Sequence, residues 1–274
     1  VGLRFCILGS GSTGNATLIE AGKTRLLLDA GLGPRVLAER LQAVGVDPAS
    51  LAGVLLSHEH NDHARGAVPF VRKWGMPLAG TRGTYAAAGL GAEELPGYVV
   101  LRAEEPQSFG SLKVECVPMP HDAAGPAAFV VSANGSSLGH ATDLGHVSAP
   151  VARAFRRCRA VLIESNYDPS LLRDGPYPWS LKERILGPRG HLSNQDTARY
   201  LAEDLGESCR AVVLAHLSQQ NNHPELALMA AEASLSRRGR SEVHLRVAGA
   251  SGMGWLEVGS PERQPEGPTQ LELF

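Results

Sequence analysis

Six residues, His58-Glu59-His60-Asn61-Asp62-His63, restrict what this chain can fold into more than any other feature. They set three imidazoles and two carboxylates directly behind the apolar run Val54-Leu55-Leu56-Ser57. That run reads as a buried strand. A strand that empties into a loop and then a helix can turn alternate side chains inward, so His58 and His60 can face one cation while Asp62 and His63 face a second. Imidazole and carboxylate together suit zinc, manganese, iron and similar divalent ions. The spacing H-x-H-x-D-H departs from the zincin pattern H-E-x-x-H, since Asp62 stands where the second helical histidine would have to be.

The rest of the chain keeps delivering such residues to strand ends. Apolar periodicity predicts early strands over residues 4–8, 16–20 and 24–29, the last ending at Asp29, and a helix over 34–44 opened by Pro34. Past the histidine cluster it predicts helices over 64–74 and 81–90 and a short strand over 77–79. A strand over 112–118 ends near His121, and a hairpin over 129–142, turning at Asn134-Gly135, ends at Asp143. After a helix over 150–158, a strand over 160–163 ends at Glu164, and a strand over 211–215 ends at His216. Helices over 195–205, with Ser193 or Asn194 as N-cap, and over 224–236, then strands over 243–247 and 255–258, complete the pattern.

Two stretches need separate treatment. The glycine-rich Gly9-Ser10-Gly11-Ser12-Thr13-Gly14-Asn15 follows a strand, yet it has no P-loop lysine and leads into a second strand rather than a helix. It is expected to form a tight connection at the mouth of the site. Residues 167–190 read as irregular, rich in Pro and Gly with Lys182, Arg184 and Arg189, and suit a lid or a wall over the substrate.

Composition narrows the remaining choices. A chain of 274 residues with 43% hydrophobic and 20% charged residues is long enough for one large core. A net charge of −2 gives no global attraction to nucleic acid, so any phosphate-binding surface has to be local. Cys6, Cys116, Cys158 and Cys209 form no C-x-x-C pair and read as buried hydrophobes of a reducing, cytoplasmic protein. No apolar run approaches the roughly 18 residues that span a bilayer. The expectation is one catalytic domain over residues 1–258 and a Pro/Gly-rich tail over 259–274 that ends in Gln270-Leu271-Glu272-Leu273-Phe274.

Taken in order, Asp29, the 58–63 cluster, His121, Asp143 and His216 resemble the ligand series of the metallo-β-lactamase superfamily of binuclear hydrolases. Within it, the 9–15 loop, His121-Asp122-Ala123, Glu164-Ser165-Asn166, Tyr177-Pro178, Gly190-His191-Leu192-Ser193-Asn194 and His216-Leu217-Ser218 are similar to the bacterial YycJ/WalJ group. The resemblance implies an α/β fold, a four-layer αββα sandwich of two mixed β-sheets, and a metal-dependent nuclease, including exonuclease action on DNA and a part in DNA repair. It implies two divalent ions, zinc or manganese. His58, His60 and His121 would bind one; Asp62, His63 and His216 the other; Asp143 would bridge them, with Asp29 orienting the cluster from behind.

By the same resemblance, Glu164 and His191 would form a dyad near the scissile phosphate, as in tRNase Z, with His191 as general acid and Asp62 orienting the nucleophile. Lys182, Arg184, Ser193 and Asn194 are the candidate substrate contacts. The tail resembles the pentapeptide by which bacterial repair proteins hold the sliding clamp, with Gln270, Leu271, Leu273 and Phe274 as its anchors. Two other readings share these features: a metal-dependent thioester or lactam hydrolase, and a clamp-associated adaptor.

Overall fold

Alternation along single strands builds two cores at once. In strand β1 (Leu3–Gly9), Leu3, Phe5 and Ile7 point to one face while Cys6 and Leu8 point to the other. This is the period of two that a strand buried on both faces requires. The computed structural model describes residues 2–259, so the tail with Gln270, Leu271, Leu273 and Phe274 lies outside the described residues.

The first sheet takes β1, β2 (Ala16–Ala21), β3 (Thr24–Leu28), β4 (Gly53–Leu55), β5 (Leu78–Gly80) and β6 (Tyr98–Val100). The second takes β7 (Gln107–Phe109), β8 (Leu112–Pro118), β9 (Ala127–Ala133), β10 (Ser136–Ala141), β11 (Ala160–Glu164), β12 (Ala211–Ala215) and β13 (His244–Val247). Strand β14 (Met253–Val258) returns to the first sheet beside β1, giving the orders β14-β1-β2-β3-β4-β5-β6 and β13-β12-β11-β10-β9-β8-β7. Both sheets are mixed: hairpin-linked strands pair antiparallel up to β3 and β10, and the pairs beyond these are parallel.

Leu3, Phe5, Ile19, Leu28, Val114, Phe129, Val131, Leu162 and Val213 meet in the core between the sheets. Helices α1 (Pro34–Ala43), α2 (Asn61–Ala64), α3 (Ala67–Trp74) and α4 (Arg82–Ala87) belong to the first half of the chain. Leu37, Leu41, Phe70, Val71 and Tyr85 from this group cover the outer face of the first sheet. In the second half come α5 (Ala149–Phe155), α6 (Pro169–Asp174), α7 (Trp179–Leu186), α8 (Asn194–Glu203) and α9 (Pro224–Arg237). Phe155, Tyr200, Leu201, Ala227 and Leu235 cover the outer face of the second sheet. The result is the expected four-layer αββα sandwich. Among the described residues, no helix is long and apolar enough to cross a membrane.

Three expectations change. The helix predicted over 64–74 is broken after Ala64, because Ala30 N donates to His63 O and Gly66 N donates to Ala30 O, both at 2.7 Å. The single turn that remains carries Asp62 and His63. The stretch predicted irregular over 167–190 contains α6, capped by the Asp168 carboxylate, and α7. Both are short and begin at or beside proline, which hides their helical period. Strands β6 and β7 escaped prediction because each is three residues long and only partly buried.

Candidate metal centre

Every strand that carries a candidate ligand ends at the same edge of the sandwich, and there the backbone bends sharply. Asp29, Asp143 and His216 follow β3, β10 and β12 with φ of 60°, 61° and 56°. Non-glycine residues seldom adopt this left-handed conformation, which strains the chain and concentrates at functional sites. The bend turns each side chain back over the gap between the sheets. Glycine closes the approach on the other side: a Cβ on Gly31 would sit 1.6 Å from Asp62 O, so only glycine lets the 29–31 loop press against the Asp62 turn. A Cβ on Gly190 would sit 2.2 Å from Ile185 O, and this close approach fixes His191 against the end of α7.

The candidate ligands gather in overlapping groups. Donor atoms of His58, His60 and His121 lie within 4.8 Å of one another, as do those of Asp62, His63, Asp143 and His216. Asp143 groups with the second set, and it also forms a third group with Glu164, His191 and His216.

Hydrogen bonds fix most of the imidazoles so that one ring nitrogen remains for a cation. The Ser57 hydroxyl donates to Asp29 Oδ2 at 2.9 Å and accepts from His58 Nδ1 at 3.0 Å. His58 Nε2 is then buried without a hydrogen-bond partner. His121 Nδ1 donates to Gly190 O at 3.2 Å, His63 Nδ1 to Asp29 Oδ2 at 2.7 Å, and His216 Nδ1 to Glu164 Oε1 at 2.9 Å. Anchoring one imidazole nitrogen on a carboxylate, carbonyl or hydroxyl while the other faces inward is how proteins orient metal-binding histidines. Asp143 Oδ2 is likewise buried without a hydrogen bond, although His63 Nε2 lies against it. These orphaned atoms and the N/O donor set fit a divalent cation.

The two sets differ in charge. Burial, reinforced by His63, holds His58 well below the usual imidazole range, and burial also lowers His121 against the opposing pull of Asp143. Both are held neutral, as ligands must be. Around His216, burial works toward neutrality, but Asp143, Asp62 and Glu164 outweigh it and push the imidazole up to about 10. His63 is raised in the same way, burial being overcome by Asp143 and Asp29. The carboxylates that raise these imidazoles offer the negative charge that a divalent cation would balance.

Glu164, fully buried, serves two histidines. Its Oε1 accepts from His191 Nδ1 at 2.8 Å and from His216 Nδ1, while Oε2 accepts from Leu144 N and Leu192 N at 3.0 and 3.1 Å. Burial raises its carboxyl, yet His191 beside it and these hydrogen bonds bring it below the usual range. His191 is raised in turn: burial lowers it, and Glu164 and Asp143 more than compensate. A protonated imidazole beside ligand-bearing carboxylates can act as a general acid.

His60, Asp62, His121, Asp143, His191 and His216 form part of the lining of a cleft of about 260 Å³, with Ser12, Asn166 and Ser218 on the polar side. Arg184 lines it too, its Nε donating to Asp122 Oδ2 at 2.6 Å. Three candidate contacts do not reach it. Lys182 is buried and donates from Nζ to Arg173 O at 2.7 Å, because α7 turns it toward α6. Ser193 caps α8 through Asp196 N, and Asn194 is buried against Ser165 and Asn222. His140 lies buried behind the site against Thr17 Oγ1, pushed down to about 4 by burial. His223 caps α9 at the surface.

Sequence reasoning missed the side chains that orient the ligands. Asn15 Nδ2 lies 3.0 Å from His63 Nε2, Ser10 Oγ accepts from His216 N at 2.7 Å, and Asn166 Nδ2 donates to His216 O at 2.8 Å. The glycine-rich loop was the available signal for the first two. It contributes side chains to the site, where the sequence suggested only a tight connection at its mouth.

The sequence model of the β-lactamase superfamily domain matches residues 24–217. The chain is 36% identical over 233 residues to exodeoxyribonuclease WalJ of Streptococcus pneumoniae, covering 84% of this chain and 87% of the relative. It is 34% identical over 245 residues to exodeoxyribonuclease YycJ of Bacillus anthracis, covering 87% and 91%. Among solved structures, the metallo-β-lactamase fold protein YhfI of Bacillus subtilis superposes with a TM-score of 0.73 at 15% identity, over 94% of this chain and all of that one, a likeness of fold. Fold, ligand order and sequence agree: the chain belongs to the metallo-β-lactamase superfamily, in its WalJ/YycJ branch.

Proposed function

We propose that this protein is a metal-dependent exodeoxyribonuclease that removes nucleotides from DNA ends by phosphodiester hydrolysis. The observation that carries this reading is His191, lining the cleft beside candidate ligands and held from behind by the buried Glu164. A phosphodiester expels an alkoxide, which leaves badly unless protonated, whereas a thiolate needs no such help. The exodeoxyribonuclease names of the two relatives that share most of the chain's length support the same substrate.

His58, His60 and His121 would hold one divalent cation and Asp62, His63 and His216 a second, with Asp143 between them; zinc and manganese both suit this donor set. When bound, such cations would supply acidified water as nucleophile and would neutralise charge on the phosphate oxygens. Asp29 and Ser57 keep His58 and His63 in the ligating tautomer. Asp62, open to the cleft, orients the attacking water. Glu164 keeps His191 protonated and holds its Nδ1, so the other ring nitrogen passes a proton to the leaving oxygen. Arg184 draws the scissile strand to the cleft by charge. Through Gln270, Leu271, Leu273 and Phe274 the tail would tether the enzyme to a sliding clamp on DNA.

The test is a metal-reconstituted assay on end-labelled single- and double-stranded DNA and RNA. DNA is expected to shorten from its ends, and chelation to stop the reaction. Hydrolysis of a thioester with no attack on nucleic acid would overturn the reading. A tail-deleted chain that binds the clamp as tightly as the full one removes the tether.

A further inference from the structure

The cleft has two unlike sides. Its floor is ionic, with His60, Asp62, His121, Asp143, His191 and His216. One wall is not: Tyr177, Leu181 and Ile185 line it from α7 and the residues just before it, with Arg184 among them. Phosphodiester hydrolysis uses the floor and gives the apolar wall no task. That wall is also firmly backed. Ile185 packs into a buried cluster with Tyr167 and Leu172, and the half-buried Tyr177 and Leu181 rest on it. The Tyr177 ring is therefore supported from behind while it borders the cleft.

Size limits what can lie there. At about 260 Å³ the cleft takes one nucleotide. A duplex, whose two backbones are held apart by grooves about 12 and 6 Å wide, is far larger than this space. Resting on the reading that the substrate is DNA, we propose that this wall is a stacking platform for the base of the terminal nucleotide, so that the enzyme accepts strand ends one unpaired nucleotide at a time. Tyr177 stacks on the base, with Leu181 and Ile185 beside it. Arg184, its Nε fixed on Asp122, turns its remaining N–H donors to the neighbouring phosphate. Every base has a π-face, so such a platform selects an unpaired end over a paired one without reading sequence.

The experiment measures equilibrium binding of short, hydrolysis-resistant phosphorothioate oligonucleotides to the full metal-loaded chain, with the terminal residue intact or abasic at either end in turn. Wild type is expected to bind the intact strand about ten-fold more tightly than the strand abasic at the productive end. Tyr177→Ala is expected to bind both equally and weakly, and Tyr177→Phe to keep the preference. In turnover, a duplex with a mismatched terminal pair should be shortened faster than a matched one by wild type, and this advantage should shrink in Tyr177→Ala. Discrimination that survives in Tyr177→Ala overturns the proposal. The wild-type comparison needs no folded variant, and equal binding of intact and abasic strands overturns the proposal by itself. Failure to bind or cut any DNA would instead sink the exodeoxyribonuclease reading on which it rests.

Discussion

Carboxylates at opposite ends of the sandwich are neutralised in opposite ways. At one end Glu20 of β2, 3% exposed, sits in register with Arg4 of β1 and Arg25 of β3 and pairs with both guanidiniums. Arg4 also stacks over Trp255, 4.1 Å from the ring centre. At the other end Asp29, Asp62, Asp143 and Glu164 meet no arginine or lysine within ion-pair distance among the described residues; their partners are His63, His191 and His216. A guanidinium never gives up its proton, so Glu20 is matched wherever it is ionised, while an imidazole can exchange its proton for a metal ion. The difference separates a carboxylate that holds strands together from carboxylates arranged to receive a cation.

Removing a carboxylate from the metal end should produce the largest effect. Asp143→Asn is expected to lower bound divalent metal and to reduce DNA hydrolysis about 1,000-fold or more. The melting temperature of the chelated protein should fall, because the buried His63 and His216 lose the carboxylate they pair with. Metal analysis, turnover and thermal melting check this together, and wild-type metal content in the variant would break the comparison.

The next effect separates proton delivery from metal binding. His191→Ala should slow release of an alcohol leaving group about 100-fold or more, yet act little on a phosphodiester that expels p-nitrophenolate, which departs without a proton. Metal content should stay at the wild-type level. Equal losses on both substrates would show that His191 holds the centre together and does not serve it as an acid.

The smallest change concerns stability alone. Burial raises the Glu20 carboxyl, but hydrogen bonds from Arg25 and Arg4 more than offset this, and its folded pKa falls below the ordinary 4.5. A depressed carboxylate contributes stability that is present above the unfolded value and lost as pH falls through the folded one. Glu20→Gln should therefore cost about 2 kcal/mol at neutral pH, shrinking toward zero in acid, with turnover unchanged. Denaturant melts of both proteins across the acid range check it; a gap that widens in acid would contradict the pairing.

Much of the site was legible before any coordinates, because metal ligands are few in type and their spacing on a strand–loop–turn is short. His58, His60, Asp62 and His63 fall within one turn of chain, and Asp29, His121, Asp143, Glu164 and His216 each announce themselves at the end of an apolar run. The residues that orient them did not: Ser10, Asn15, Ser57 and Asn166 are ordinary polar residues whose role depends on what lies opposite. Lys182 shows the converse error. A basic residue in a loop-like stretch looked like a phosphate contact, but the stretch is helical and points the amine at Arg173 O.

The sequence by itself determined which residues are competent to bind a divalent cation and that they fall at strand ends, since both follow from local periodicity and side-chain chemistry; the two mixed sheets came from the family resemblance. Only the tertiary structure decided which imidazole nitrogen each neighbour occupies, that one carboxylate, Glu164, serves both His191 and His216, and that α7 sets an apolar wall beside an ionic floor. Those facts depend on atoms brought together from distant parts of the chain, at distances that no spacing along the sequence encodes.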